Sequence, residues 1–162
     1  MNTANTKERT ITVNKKDVFF DIDFLSLKYS EGSSEDDIIR ADRVATETQD
    51  TGGNRIVTRL CDHRVSDLRQ VLRKFIKSTT SSSATNTLNN AMNWVFTIVI
   101  SNEAEDNTIA TLGDLFHDYI VSGAAADYYI HVGRPGNTES LRKRADDDLA
   151  RIRELIYYRP MP

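Results

Sequence analysis

Thr111–His131 reads TLGDLFHDYIVSGAAADYYIH, and after the breaker run Gly133-Arg134-Pro135-Gly136 the chain resumes over Asn137–Tyr158 as NTESLRKRADDDLARIRELIYY. In the first stretch Leu112, Phe116, Tyr119, Gly123, Ala126 and Ile130 recur at alternating spacings of four and three. That is the period of one helix face. Thr111 with Asp114 three residues on is a capping signature for its start. In the second stretch Leu141, Ala145, Leu149, Ile152 and Ile156 form the matching stripe, with charges on the far side. The segment 111–158 is therefore expected to be a helical hairpin, with Leu149 buried against the Phe116–Gly123 face. The small residues from Gly123 to Ala126 allow a second helix to approach closely.

The next clearest element is Asn93–Ser101, NWVFTIVIS. Trp94, Phe96, Ile98 and Ile100 lie on one face of a strand, with Val95, Thr97 and Val99 on the other. A strand apolar on both faces needs cover on both. The obvious partner is the short alternating run Ile11-Thr12-Val13, so part of the pairing is expected from another subunit. Upstream, KKDVFFDIDFLSLKYS over Lys15–Ser30 has two readings. Val18, Ile22, Leu25 and Tyr29 make a helical face, whereas Phe20, Ile22 and Phe24 alternate with aspartates as a strand would. The phase slip at Leu25 and the stop at Gly32 favour the helix.

Ser34 and Asp37 mark a further helix over 36–48, and one more is expected from Arg55 to Ser78 with Leu60, Leu68, Leu72, Phe75 and Ile76 inside. Arg59, Arg64, Arg69, Arg73 and Lys74 decorate it, but Asp62 and Asp67 interleave, which reads as a solvated helix face. Residues 1–9 are polar and expected to fray. The Ser/Thr/Asn run at 79–90 cannot bury enough to order itself and is expected to be a flexible loop. The expected fold is one mainly α domain spanning 1–162. It is a bundle of four to five helices ending in the long hairpin, with a small β element at about 10–13 and 93–101.

The chain has 162 residues and a formal net charge of −3, so no global basic field recommends nucleic acid. The N-terminus lacks the apolar core of a signal peptide, and no apolar run is long enough to span a bilayer. These features predict synthesis in the cytoplasm and no membrane partner. A lone cysteine, Cys61, excludes an internal disulfide.

Chemistry is sparse. Cys61-Asp62-His63 matches no zinc spacing, and a second cysteine is missing. His117 and Asp118 are neighbours on a helix, so their side chains diverge by roughly 100° and are not expected to form an orienting pair. Asp146-Asp147-Asp148 should fan outward among Arg142, Lys143, Arg144 and Arg151 as surface ion pairs. No phosphate loop or nucleophile elbow is present. The expectation is a non-enzyme with no metal, no cofactor, no small-molecule substrate and no catalytic residue. Candidate interface residues are Trp94, Phe96, Ile98 and Ile100 on the strand and Tyr157, Tyr158 and Arg159 at the end, residue types enriched where proteins meet.

From Leu112 onward the chain resembles the C-terminal half of small head–tail connector, or neck, proteins of tailed bacteriophages. The nearest likeness is to those of Bacteroidales phages and prophages. The resemblance is carried by His117, Tyr119, Ile120 and Val121, by the aromatic pair Tyr128-Tyr129, and by the Pro/Gly break. Arg144-Ala145-Asp146 and the closing Tyr158-Arg159 with Pro160 and Pro162 complete it. Where that pattern has a tryptophan after the small residues, this chain has Tyr129. The first half matches more loosely, through Arg59–Ile76. The resemblance implies a structural virion protein in a homo-oligomeric ring, commonly dodecameric, between the portal and the adjacent neck or tail proteins. Such a ring sits in the virion neck and passes the genome through its lumen, with non-specific contact to packaged DNA. The alternatives from the residues alone are a cytoplasmic helical protein-binding or regulatory module, and a small enzyme using His63 or His117.

Overall fold

Alternating aromatic and β-branched side chains suit a pleated surface buried on one side, and Asn93–Ser101 forms a strand with Trp94, Phe96, Ile98 and Ile100 all buried. A computed structural model describes residues 6–30, 55–77, 93–102, 104–131, 133 and 138–157. In chain order the elements are β1 (Thr6–Asn14), α1 (Lys15–Ser30), α2 (Arg55–Val71), β2 (Asn93–Ser101), α3 (Asp106–His131) and α4 (Thr138–Tyr157). Among the described residues the fold is mainly helical, with four helices and one small antiparallel sheet. The expected helix at 36–48, the loop at 79–90, and Tyr158 and Arg159 lie outside the described residues.

β1 pairs with β2 from Thr6↔Ser101 to Asn14↔Asn93. The first strand is thus longer than the 10–13 read from sequence, and residues 6–9, expected to fray, belong to the ladder. The nine-residue β2 offers pairing along its whole length, and Arg9 is anchored to Asp106 at 2.9 Å. The register Ile11↔Phe96 and Val13↔Trp94 puts all four side chains on the core face.

The helix expected to run to Ser78 stops at Val71. Beyond it the chain turns and lines the second edge of β2. Val99 N–H donates to the Phe75 carbonyl at 2.7 Å, Lys77 N–H donates to the Thr97 carbonyl at 3.1 Å, and Ile76 bridges Ile98. Pairing of an unfilled strand edge outweighs one more helical turn, because backbone donors and acceptors of a buried strand must be satisfied. The extra partner expected from another subunit is supplied by the same chain. On the outer face the ladder is braced by Lys77 Nζ to Glu8 Oε1 at 2.6 Å.

α1 follows β1 without a loop. Asn14, the last strand residue, accepts the Lys16 N–H at 2.8 Å on its side-chain oxygen, which is the N-cap arrangement. Val18 and Ile22 are buried and Leu25 partly so, as the helical reading requires. α3 begins at Asp106, five residues before the expected start. Thr111 does not cap it, and its hydroxyl donates to the Asn107 carbonyl at 2.9 Å. From Tyr119 to Ala126 every residue of α3 is buried, so this helix has no solvent side over two turns. It packs on α4, α2, α1 and the sheet, the last through an edge-to-face contact of Phe116 with Phe96 at 5.0 Å. At its end Gly133 takes φ +76°, a left-handed stop that favours glycine, and its N–H donates to the Ile130 carbonyl.

In α4, Leu141, Ala145, Ile152 and Ile156 are buried as expected, but Leu149 is only partly buried and Asp148 is inside. The inward stripe is therefore turned by about one residue between Ala145 and Ile152. Ile152→Ala should cost about 2–5 kcal/mol, the usual range for emptying a filled core site, and Leu149→Ala clearly less. Urea unfolding of the two variants checks this, and equal losses would contradict the register of α4.

Candidate functional site

Several polar groups of this domain are drawn into contacts between elements. The strongest is a fork between α2 and α3: Arg64 Nε and Nη2 donate to Asp127 Oδ2 and Oδ1 at 2.8 and 2.7 Å. Both side chains are about four-fifths covered. The bidentate geometry is that of a strong charge-assisted pair. Arg64 reaches Asp127 by lying across Gly123, where an added Cβ would stand 2.8 Å from Arg64 Cδ and Nε. Tyr119 lies beside the same guanidinium. Burial pushes the Tyr119 hydroxyl above its ordinary range, with Arg64 opposing.

A second cluster joins α1, α3 and α4. His117 Nε2 is 3.4 Å from Asp21 Oδ2, and its Nδ1 is 3.3 Å from Asp118 Oδ1. Asp118 Oδ2 in turn meets Arg144 Nη2 at 3.4 Å. Helical angle alone argued against contact between His117 and Asp118, yet the two side chains meet at 3.3 Å. Behind them Asp148 is 7% exposed, and its Oδ2 has no hydrogen-bond partner. The expected outward fan of Asp146, Asp147 and Asp148 fails at this residue, because the stripe of α4 turns it onto α3. Burial, then Asp118, push the Asp148 carboxyl above the usual carboxylate range, with Arg144 and Arg151 opposing.

A third group closes the end of the sheet. Trp94 Nε1 donates to Asp62 Oδ1 at 2.9 Å, Lys15 Nζ sits 5.1 Å from the Trp94 ring, and Phe19 meets that ring edge-on. Cys61 is fully buried next to it, and burial pushes its thiol far above the ordinary range, which leaves it inert as a nucleophile. His63 points the other way, exposed and 3.4 Å from Asp67 one turn on. Cys61 and His63 thus face opposite sides of α2. Among the described residues no three His, Cys, Asp or Glu side chains gather as a metal would require. The same residues contain no helix long and apolar enough to cross a membrane.

Trp94, Phe96, Ile98 and Ile100, expected at an interface, are core residues: the chain's own helices cover their face. Tyr157 is half exposed, with its ring edge against Phe75 at 4.7 Å. The open apolar surface lies elsewhere, on α1, where Phe20 and Phe24 are 69% and 61% exposed one turn apart. The sequence held the signal. A helical face through Val18, Ile22 and Leu25 leaves two phenylalanines spaced by four on the solvent side. No protein-family model, no curated protein and no solved structure matches the chain.

Two outcomes follow from these contacts. Gly123→Ala should destabilise by about 1–3 kcal/mol, because the pinned Arg64 cannot move aside without breaking its fork. A double-mutant cycle of Arg64→Ala and Asp127→Ala should show a coupling of about 1–3 kcal/mol by thermal or chemical unfolding. For Asp148, a folded-state pKa raised above the unfolded value means that its ionised form opposes folding. Asp148→Asn should therefore raise stability at neutral pH. The gain should fade as pH falls from the raised pKa through the ordinary carboxylate range, where the native carboxyl is protonated in both states. Unfolding midpoints measured from pH 7 to 3 test it, and a gain unchanged with pH would contradict it.

Proposed function

We propose that this chain is a structural subunit of the neck of a tailed phage, forming a homo-oligomeric ring between portal and tail whose lumen passes the genome. The observation that carries this reading is the pattern of the 112–162 segment, similar to that of head–tail connector proteins. Its Tyr119, Ile120, Val121, Tyr128 and Ala145 are buried, Ala145 on α4 and the others on α3. The resemblance therefore runs through the packing unit of the fold.

A non-enzymatic role is supported by the use of the charged groups. Arg64, Asp127, His117, Asp118 and Arg144 join helices to one another. Cys61 is sealed. A subunit that meets neighbours in a ring needs a rigid body and an outer surface able to dock, and the exposed aromatics of α1 supply the second.

The test is made on particles. Mass spectrometry of purified virions from the phage or prophage encoding the chain should find its peptides, and antibody labelling should place it at the head–tail junction. Loss of the gene should yield filled heads and separate tails. Virions that lack the polypeptide, or normal particles formed without it, would overturn the reading in favour of a cytoplasmic binding module.

A further inference from the structure

The ring reading requires two different surfaces on each copy, since a head-to-tail contact is what closes into a ring. On that reading, we infer that the acidic–aromatic face of α1 in one copy docks on the basic face of α2 in the next. The first half of the contact is Asp17, Phe20 and Phe24. Phe20 and Phe24 are the two most exposed large apolar side chains among the described residues. Asp17 is exposed beside Phe20 and forms no ion pair with a described residue, Asp21 adds a second, half-exposed carboxylate, and the exposed Lys16 offsets only one of the two.

The second half is Arg59, Arg69, Arg73 and Lys74, all exposed on α2 and the turn after it. The sequence offered Asp62 and Asp67 to neutralise this row, but the fold employs both. Asp62 accepts from Trp94, and Asp67 faces His63. These contacts leave both carboxylates charged, but Arg59, Arg69, Arg73 and Lys74 outnumber them, and Arg59, Arg73 and Lys74 form no ion pair with a described residue, so the row keeps an excess of positive charge. Arg69 lies over the Phe96 ring, with a weak bond to the Val95 carbonyl at the edge of the sheet. Arginine stacks on aromatic faces while pairing with carboxylates, so a row of arginines is the chemical complement of two phenylalanines flanked by aspartates.

The two helices meet α3 at different points. α1 packs on α3 at His117, and α2 crosses α3 at Gly123. Six helical residues separate the two points, roughly 240° around the α3 axis.

Thiol cross-linking of the full chain tests the contact, because Cys61 is sealed in the core and silent. Lys16→Cys lies one turn before Phe20, and Gln70→Cys lies one turn before Arg73 and Lys74, so neither removes a proposed contact. Mixed and treated with a short bismaleimide, the two variants should cross-link to each other about tenfold faster than either does to itself, the scale of electrostatic steering. High salt should slow the reaction. Phe20→Ser with Phe24→Ser should abolish the preference without lowering the melting temperature. Asp17→Lys on one variant or Arg73→Glu on the other should suppress it, and the two reversals together should restore it.

Equal rates for like and unlike pairs would overturn the inference. So would a lower melting temperature in the Phe20→Ser, Phe24→Ser protein, which would mean that the chain's own residues cover the pair. The outcome is separable from the neck reading. A polypeptide present in virion necks without this cross-link keeps the ring and discards the interface. A ladder of cross-linked multimers from the Lys16→Cys, Gln70→Cys double variant, with no polypeptide in virions, does the reverse.

Discussion

α3 must be covered on every side, and the rest of the fold answers that demand. From Tyr119 to Ala126 it presents no residue to water, and its small side chains set how near its neighbours come. Ala124, Ala125 and Ala126 admit α4 and α1, while Gly123 admits the shaft of Arg64. A helix of this kind forms a stable core only when several partners arrive together. The hairpin alone supplies one partner; α1, α2 and the sheet supply the others.

The polar contacts follow from the same requirement. Arg64 and Asp127 are charged groups at a seam that burial would otherwise make costly, and the bidentate fork satisfies both. His117 and Asp118 tie α3 to α1 and α4 ahead of the small-residue run. Asp148 departs from this, a carboxylate on the inward stripe of α4 with one oxygen unpartnered, as is the buried Ser122 hydroxyl oxygen on α3. What is left for the outside is an unusual surface: two phenylalanines on α1 and a row of bases on α2 whose neighbouring acids are engaged within the fold.

The helix buried from Tyr119 to Ala126 and the open β2 edge explain where reading the sequence succeeded and where it failed. The strand at 93–101 and the two hairpin helices were legible because their apolar spacings are unambiguous over many residues, and the helix at 15–30 because the alternating phase slips at Leu25. The end of α2 was not. Leu72, Phe75 and Ile76 fit a helical stripe as well as a turn and bridge, and only the presence of β2's open edge decides between them. The candidate site was read less well. The side chains of β2 looked like an interface because their cover comes from helices remote in sequence. Phe20 and Phe24 escaped notice because the same residues fit a buried strand.

By itself the sequence determined the element types, the hairpin, the mainly helical class and the want of a motif for catalysis or metal binding. Each follows from local periodicity or local spacing, which act over one or two helical turns. Only the tertiary structure decided which side of β2 is core, that its second edge is closed by Phe75–Lys77, that Asp148 turns inward, and that Asp62 and Asp67 are engaged elsewhere. Those outcomes depend on which surfaces meet across tens of residues. Burial and charge pairing are properties of the meeting surfaces, and no single segment carries them.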